Sequence, residues 1–160
     1  TRRPTMHEMP KPSEHHRKLH RFAGNWVGEE KLTASPWGPG GPAMARLTGK
    51  IELDGFFVMS DYVEEKDGKT VFKGHNVFGW DAQANDVVWY WFDSMGFPPA
   101  VPSHGTWDGD TLVLRNSSPQ GEGRYTFRFE GKDRYFFSIE NSRDGGKSWQ
   151  KFMEGDYKRV

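Results

Sequence analysis

The sequence predicts an all-β fold: an antiparallel up-and-down barrel of roughly ten strands with a short N-terminal helix. Three observations carry that expectation. Hydrophobic residues make up only 34% of the 160-residue chain, while aromatics reach 15% and glycines number 19. That is the profile of an aromatic core linked by glycine turns. The longest apolar run, Asp86-Val87-Val88-Trp89-Tyr90-Trp91-Phe92-Asp93, is rich in aromatic and β-branched residues, too short for a stable helix, and apolar on both faces. It therefore reads as a strand held between two apolar surfaces. Finally, the apolar segments follow one another through short turns without a helical crossover, which favours closure because a closed sheet has no exposed edges. A flat sandwich is the alternative fold.

Lys+Arg and Asp+Glu are equal at 22 each, so no global charge favours nucleic acid or an anionic membrane. The absence of cysteine removes disulfides, thiol catalysis and cysteine-zinc sites together. No apolar run is long enough to span a bilayer and no secretory leader is present, so a cytoplasmic protein is expected. Residues 1–12, with three prolines, read as a flexible N-terminal arm, and residues 13–160 as one barrel domain.

Taken in order, Ser13 is a candidate N-cap and Glu14 to Phe22 a short helix ending at Gly24, with Leu19 and Phe22 packing it onto the body. His16 and His20 stand at a metal-compatible spacing, but with no third ligand in sight they read as an exposed basic helix. Gly24-Asn25-Trp26-Val27-Gly28 opens the first strand. The Pro36-Trp37-Gly38-Pro39-Gly40-Gly41-Pro42 loop is expected to fold over a barrel mouth. Ala43 to Leu53 alternates, and a turn at Asp54-Gly55 pairing Leu53 with Phe56 puts Phe56, Val58, Ser60 and Tyr62 on the inner face. Lys66-Asp67-Gly68-Lys69 turns into a strand over Val71 to Trp80. Pairing Trp80 with Asp86 would place His75, Val77 and Gly79 on the face of Trp89, Trp91 and Asp93. After a rigid loop at Phe97-Pro98-Pro99-Ala100-Val101-Pro102, a meander follows: Ser103–Trp107, Thr111–Asn116, Arg124–Glu130, Arg134–Asn141 and Ser148–Arg159.

Several short pieces, in order, resemble a bacterial domain-of-unknown-function family, number 1579. They are Met9-Pro10-Lys11-Pro12-Ser13-Glu14-His15-His16, Gly24-Asn25-Trp26-Val27-Gly28, Leu53-Asp54-Gly55-Phe56-Phe57, Gly79-Trp80-Asp81, Asp93-Ser94-Met95 and Tyr157-Lys158-Arg159. The resemblance implies a calycin-like barrel, similar to lipocalins and fatty-acid-binding proteins, and supplies no function. Trp80 stands where the family more often has tyrosine. The Gly24–Gly28 segment is also similar to nitrobindin-like barrels, which bind haem through a histidine. His75 and His104 are the histidines outside the N-terminal segment, but the tail lacks the expected histidine-bearing pattern, so no cofactor is expected and haem stays an alternative. Ser142-Arg143-Asp144-Gly145-Gly146-Lys147-Ser148-Trp149 matches an Asp-box; a single copy without a propeller period reads as a folded hairpin.

The candidate acid–base residues are His104, His75, Asp93 and Glu140; the candidate ligand-binding wall is Trp89, Trp91, Trp107, Tyr125, Phe127 and Tyr62. No nucleophile elbow, dinucleotide fingerprint or phosphate loop occurs. The expected function is binding of a small hydrophobic or aromatic metabolite inside the barrel. The alternative is a cofactor-free isomerase, cyclase or lyase acting on a small carbonyl compound. Phe57, Met59, Val88, Tyr90 and Phe92 are expected on the outside, where a helix this short leaves them uncovered, so a homodimer through that face is expected.

Overall fold

The structure, a computed structural model, describes residues 8–36, 38–99 and 101–160; the first seven residues, Trp37 and Ala100 lie outside it, and with them the expectation for the Trp37 loop and most of the arm. Helix α1 (Glu14–Leu19) runs into a single 3-10 turn (His20–Phe22). Ser13 N–H donates to His16 Nδ1 at 3.0 Å, closing the first turn. Ten strands follow: β1 (Gly24–Leu32), β2 (Gly41–Glu52), β3 (Phe57–Lys66), β4 (Lys69–Asp81), β5 (Asp86–Asp93), β6 (Ser103–Asp108), β7 (Thr111–Ser118), β8 (Gly121–Phe129), β9 (Arg134–Ser142) and β10 (Gln150–Arg159). Each pairs antiparallel with the next, and β10 returns to β1, giving a closed barrel. The expected barrel, and not the sandwich, is the fold.

Alternation decides what fills the interior. Trp26, Ala45, Val58, Phe78, Val87, Leu112, Leu114, Phe127 and Tyr157 are buried on inward positions of successive strands. One end is plugged by the N-terminal segment. Leu19 and Phe22 are almost fully buried, and the Phe22 ring stacks on Phe78 with centroids 4.1 Å apart. Trp26 Nε1 donates to the Phe22 carbonyl at 3.2 Å, so the strand and the plug are tied together. Arg159 lies 4.2 Å over the Trp26 ring and donates through Nη1 to the Ala23 carbonyl at 2.6 Å. The opposite end carries residues 33–36, 38–40, 94–99 and 101–102 and is the open end.

One strand face differs from expectation. The β4–β5 register pairs Trp80 with Val87 and Asp81 with Asp86, not Trp80 with Asp86. Asp81 explains the difference: its Oδ1 accepts the amides of Gln83 (2.9 Å) and Ala84 (3.2 Å), and Asn85 takes φ 56°, closing a tight turn one residue later. A slip of one residue exchanges the two faces of the strand. Phe78 and Asn76 therefore point inward, and His75, Val77 and Gly79 point outward. The β2–β3 register, by contrast, pairs Glu52 with Phe57 and Ile51 with Val58, and Val58, Ser60 and Tyr62 are inward as expected.

Candidate functional site

The interior is a stack of aromatic rungs. Near the plug, Phe127 sits 5.1 Å from Phe22 and 4.5 Å from Phe137, and Trp107 lies 6.1 Å from Phe22. Further up, Trp89 contacts Tyr125 at 5.0 Å and Trp91 at 5.7 Å, and Trp91 contacts Tyr62 at 5.6 Å. All six residues of the expected ligand wall thus belong to the interior, and they form one continuous ring surface from the plug to the open end. Gly74 permits part of it: a Cβ there would stand 2.5 Å from Trp91 Cη2, so only glycine lets that indole lie across β4 toward Tyr62.

The four expected acid–base residues are not brought together. His75 is on the outer face, with Nδ1 2.8 Å from Asp61 Oδ1, a consequence of the β4–β5 register. His104 pairs with outward Val88 and sits 3.2 Å from Asp86 Oδ1. Neither imidazole points into the barrel, so neither is placed to ligate a haem there. Glu140 is not buried among its apolar neighbours; it faces outward on β9 and takes two bonds from Arg124, at 3.2 and 3.0 Å. Asp93 is on the inner face at the rim, where its oxygens accept Trp91 Nε1 (2.8 Å) and the Met95 amide (2.9 Å), capping the turn. The Asp-box is a closed hairpin: Asp144 accepts from the Ser148 amide and from the Ser148 and Ser142 hydroxyls. The Ser148 bonds hold its carboxyl down at about 2.

In their place stands a cluster that the sequence reading passed over. Glu30 on β1 is only 3% exposed, and Glu64 on β3 is buried beside it. Tyr157 donates to Glu30 Oε2, while the Tyr62 hydroxyl lies 2.7 and 2.9 Å from the Glu30 oxygens and 2.8 Å from Glu64 Oε2. Small neighbours make the space. Glu30 is flanked across the ladders by Ala43 and Gly155, and a Cβ at Gly28 or Gly155 would come within 2.3 or 2.6 Å of the Tyr157 ring. That ring lies flat against both glycines, and its hydroxyl thereby reaches the carboxylate. Burial pushes the Glu30 carboxyl up to about 7, against the lowering effect of the two tyrosine bonds. Burial likewise drives the Tyr62, Tyr135 and Tyr157 hydroxyls upward, so all three stay protonated.

Bond counting agrees with a proton on Glu30, whose carboxyl pKa is raised by burial. Tyr62 has one hydroxyl proton but stands within bonding distance of two carboxylates. It satisfies both only if one of them carries a proton of its own. With that proton on Glu30, the line Tyr157, Glu30, Tyr62, Glu64 is satisfied at every step. A sequence signal for it exists: Trp26, Gly28 and Glu30 alternate on one face, as do Ser60, Tyr62 and Glu64. Both carboxylates therefore fall on inner positions.

Among the described residues, three buried side-chain atoms have no hydrogen-bond partner: Asn76 Oδ1, Trp89 Nε1 and Trp107 Nε1. At the open end, Asn116 Nδ2 donates to Ser103 Oγ at 3.0 Å, and Asn116 also bonds the Tyr125 hydroxyl. Asn116 and Tyr125 border a recess of about 370 Å³ at the mouth, lined also by Val101, Gly123 and Asn141. A second recess, about 460 Å³, lies on the outer wall between Glu29, Lys31, Arg128, Phe136 and Asp156, away from the interior groups. Among the described residues no helix is long and apolar enough to cross a membrane, which says nothing of strands.

Similar architectures occur in solved structures. The protein Rv2717c from M. tuberculosis superposes with a TM-score of 0.67 at 14% identity, covering 90% of this chain and 96% of that one. The S-type phycobiliprotein lyase CPES from Guillardia theta superposes at 0.63 with 12% identity, covering 90% and 91%. At such identities the likeness establishes the barrel and nothing finer. No curated protein matches the sequence significantly. Residues 11–159 match the family described as "Protein of unknown function (DUF1579)", and the chain belongs to that family.

Proposed function

We infer that the protein binds a small, largely apolar, ring-bearing molecule inside the open half of its barrel. The observation that carries this reading is the pair of unpartnered buried atoms Asn76 Oδ1 and Trp89 Nε1 on an otherwise aromatic wall. A buried polar group without a partner costs about 1–3 kcal/mol, and a ligand that supplies the missing bond recovers it. A cytoplasmic setting belongs to the same proposal. Native mass spectrometry on freshly purified protein tests it, with a bound mass expected that disappears in Trp91→Ala. Retention of the same mass by Trp91→Ala, whose indole spans Tyr62 and Trp89, would place the ligand elsewhere.

The isomerase, cyclase or lyase reading keeps one support, the Glu30 cluster. Its carboxyl is the interior group poised near neutrality, whereas His75, His104 and Glu140 face away. In that case Glu30→Gln abolishes turnover while affinity for a neutral ligand holds.

A homodimer completes the proposal. Tyr90 and Phe92 are 37% and 43% exposed on the outer face of β5, with Val88 on the same face and Met59 of β3 across Val77 from Tyr90. Helix α1 reaches only the neighbouring corner, where His15 stacks on Trp80 at 4.1 Å. Light scattering at micromolar concentration should give twice the 18.4 kDa chain mass, and Phe92→Lys should return the chain mass; a wild-type monomer removes the dimer.

A further inference from the structure

Asn76 and Trp89 are 4% and 5% exposed, and among the described residues the Asn76 Oδ1 and the Trp89 Nε1 have no partner. One atom is an acceptor and the other a donor, yet they do not bond each other. The β4–β5 ladder gives the reason. Asn76 lies opposite Trp91 and Trp89 opposite Phe78, so the two are diagonal neighbours on the inner face. Such neighbours stand about 7–8 Å apart, a gap for one bridging group rather than for a direct bond. The polar groups beside them do not fill it. Trp91 Nε1 already donates to Asp93 Oδ2 at 2.8 Å, and Ser60, opposite Asn76 on β3, makes no bond to the Oδ1. Ser103, opposite Trp89 on β6, has its Oγ taken by Asn116 Nδ2 at 3.0 Å.

Charge and access narrow what the bridging group is. Among the described residues the buried charged side chains are Glu30 and Glu64, both acids, so a ligand anion would find no cation inside the barrel. The Trp89 N–H asks for an acceptor and the Asn76 oxygen for a donor, which a neutral molecule carrying both supplies. Access is from the mouth. Tyr125, whose ring is 5.0 Å from Trp89, also lines the recess of about 370 Å³, which has the size of a small-molecule pocket. Gly123 leaves space there, since a Cβ would stand 2.8 Å from Asn116 Oδ1 and 3.1 Å from the Tyr125 hydroxyl. The recess therefore ends one ring away from the unpartnered indole.

Resting on the barrel-ligand reading above, we propose that Asn76 and Trp89 form the two ends of a recognition site for a neutral cyclic amide. The ligand N–H donates to Asn76 Oδ1, its carbonyl oxygen accepts from Trp89 Nε1, and its ring body lies toward Tyr125 and the recess. In a ring amide the donor and the acceptor stand side by side in one plane. One rigid edge then bridges two groups that cannot reach one another, with no rotamer to freeze on binding. A ligand with an acceptor alone leaves Asn76 unpaired and forfeits one buried hydrogen bond.

Three two-ring probes of nearly one shape separate this proposal from the broader one. Carbostyril is a cyclic amide, coumarin has a ring oxygen in place of the N–H, and naphthol offers a single hydroxyl. Titration of isotope-labelled protein, followed by NMR through the indole N–H resonances, reads the Trp89 contact in the wild type without any substitution. Carbostyril should shift the Trp89 resonance and bind roughly tenfold tighter than coumarin or naphthol, the worth of one hydrogen bond. In Asn76→Leu, carbostyril should fall to the level of coumarin. In Trp89→Phe, which keeps a ring, the two should weaken together. Equal binding of all three probes, lost in Trp91→Ala, overturns the amide site, assigns the gap to a buried water and leaves the barrel reading standing. A carbostyril preference that survives Asn76→Leu also overturns it. Failure of every probe to bind at millimolar concentration removes both readings.

Discussion

Glu30→Gln is expected to stabilise the protein at about pH 8 and to change it little at about pH 5. A carboxyl whose folded pKa is about 7 binds its proton in the native state while the unfolded chain, near 4.5, has already released it. Stability from this group is therefore fully present below the unfolded value and is lost as pH rises through the folded value. A separation of that size corresponds to a loss of about 3 kcal/mol across the window, a sizeable share of a typical domain's stability. Glutamine copies the protonated form and cannot ionise, so its profile should run flat where the wild type declines. His16, held down chiefly by burial, works in the opposite direction over part of this range. The difference between wild type and variant at each pH, from chemical denaturation, isolates Glu30. A variant less stable than wild type at every pH would mean that the charged carboxylate is what the cluster holds, and the proton-sharing arrangement would fall. The same experiment bears on function, because a group that costs stability in its ionised form without taking part in binding has no reason to be glutamate.

The barrel and its register were legible where alternation ran undisturbed. Ala45, Leu47, Gly49 and Ile51 against Val58, Ser60 and Tyr62 placed β2 and β3 correctly, because β2 has one apolar and one polar face and the Asp54-Gly55 turn sets the register of β3 against it. The β4–β5 pair was not legible, since β5 is apolar on both sides and its register rests on an aspartate side chain closing a turn. That one residue carried His75 from the expected inside to the outside. The aromatic wall was readable because Trp89, Trp91, Tyr125 and Phe127 hold alternate positions along their strands, whereas Tyr90 and Phe92 take the outer ones. The acids were not. A glutamate in an alternating strand ordinarily reads as the wet face, and only the phase set by Trp26 and Gly28 shows that Glu30 is on the dry one. Tyr157 stood within a segment matched to the family, but its partner is 127 residues away in sequence, a proximity created by closure of β10 onto β1. Histidine titrates near neutrality unaided and a carboxyl only when buried, which made His75 and His104, with Asp93 and Glu140, the candidates. The barrel instead brings a carboxyl to that range by burying it.

Phe22→Ala should cost about 3–5 kcal/mol, the range for deleting a buried phenylalanine ring, although the residue lies outside every strand. The ring is 4% exposed and meets Phe78 at 4.1 Å, Phe127 and Phe129 at 5.1 Å, and Tyr135 at 5.9 Å. Strands closed into a barrel cannot move inward to fill the gap without breaking ladder bonds, so little relaxation is available to lower the cost. The Phe22 carbonyl still accepts Trp26 Nε1 in the variant, which keeps the plug's backbone in place and confines the loss to the ring. Phe97→Ala, on a side chain 70% exposed in the loop of the open end, provides the contrast and should change stability by less than about 0.5 kcal/mol. The space left by Phe22 is walled by rings, so benzene should partly restore the variant in a concentration-dependent way and leave wild type unaffected. Equal, small losses in the two variants would mean that the N-terminal segment merely leans on the barrel. A large loss reversed by benzene would mean that the segment completes the barrel's core and leaves the opposite end as the way in.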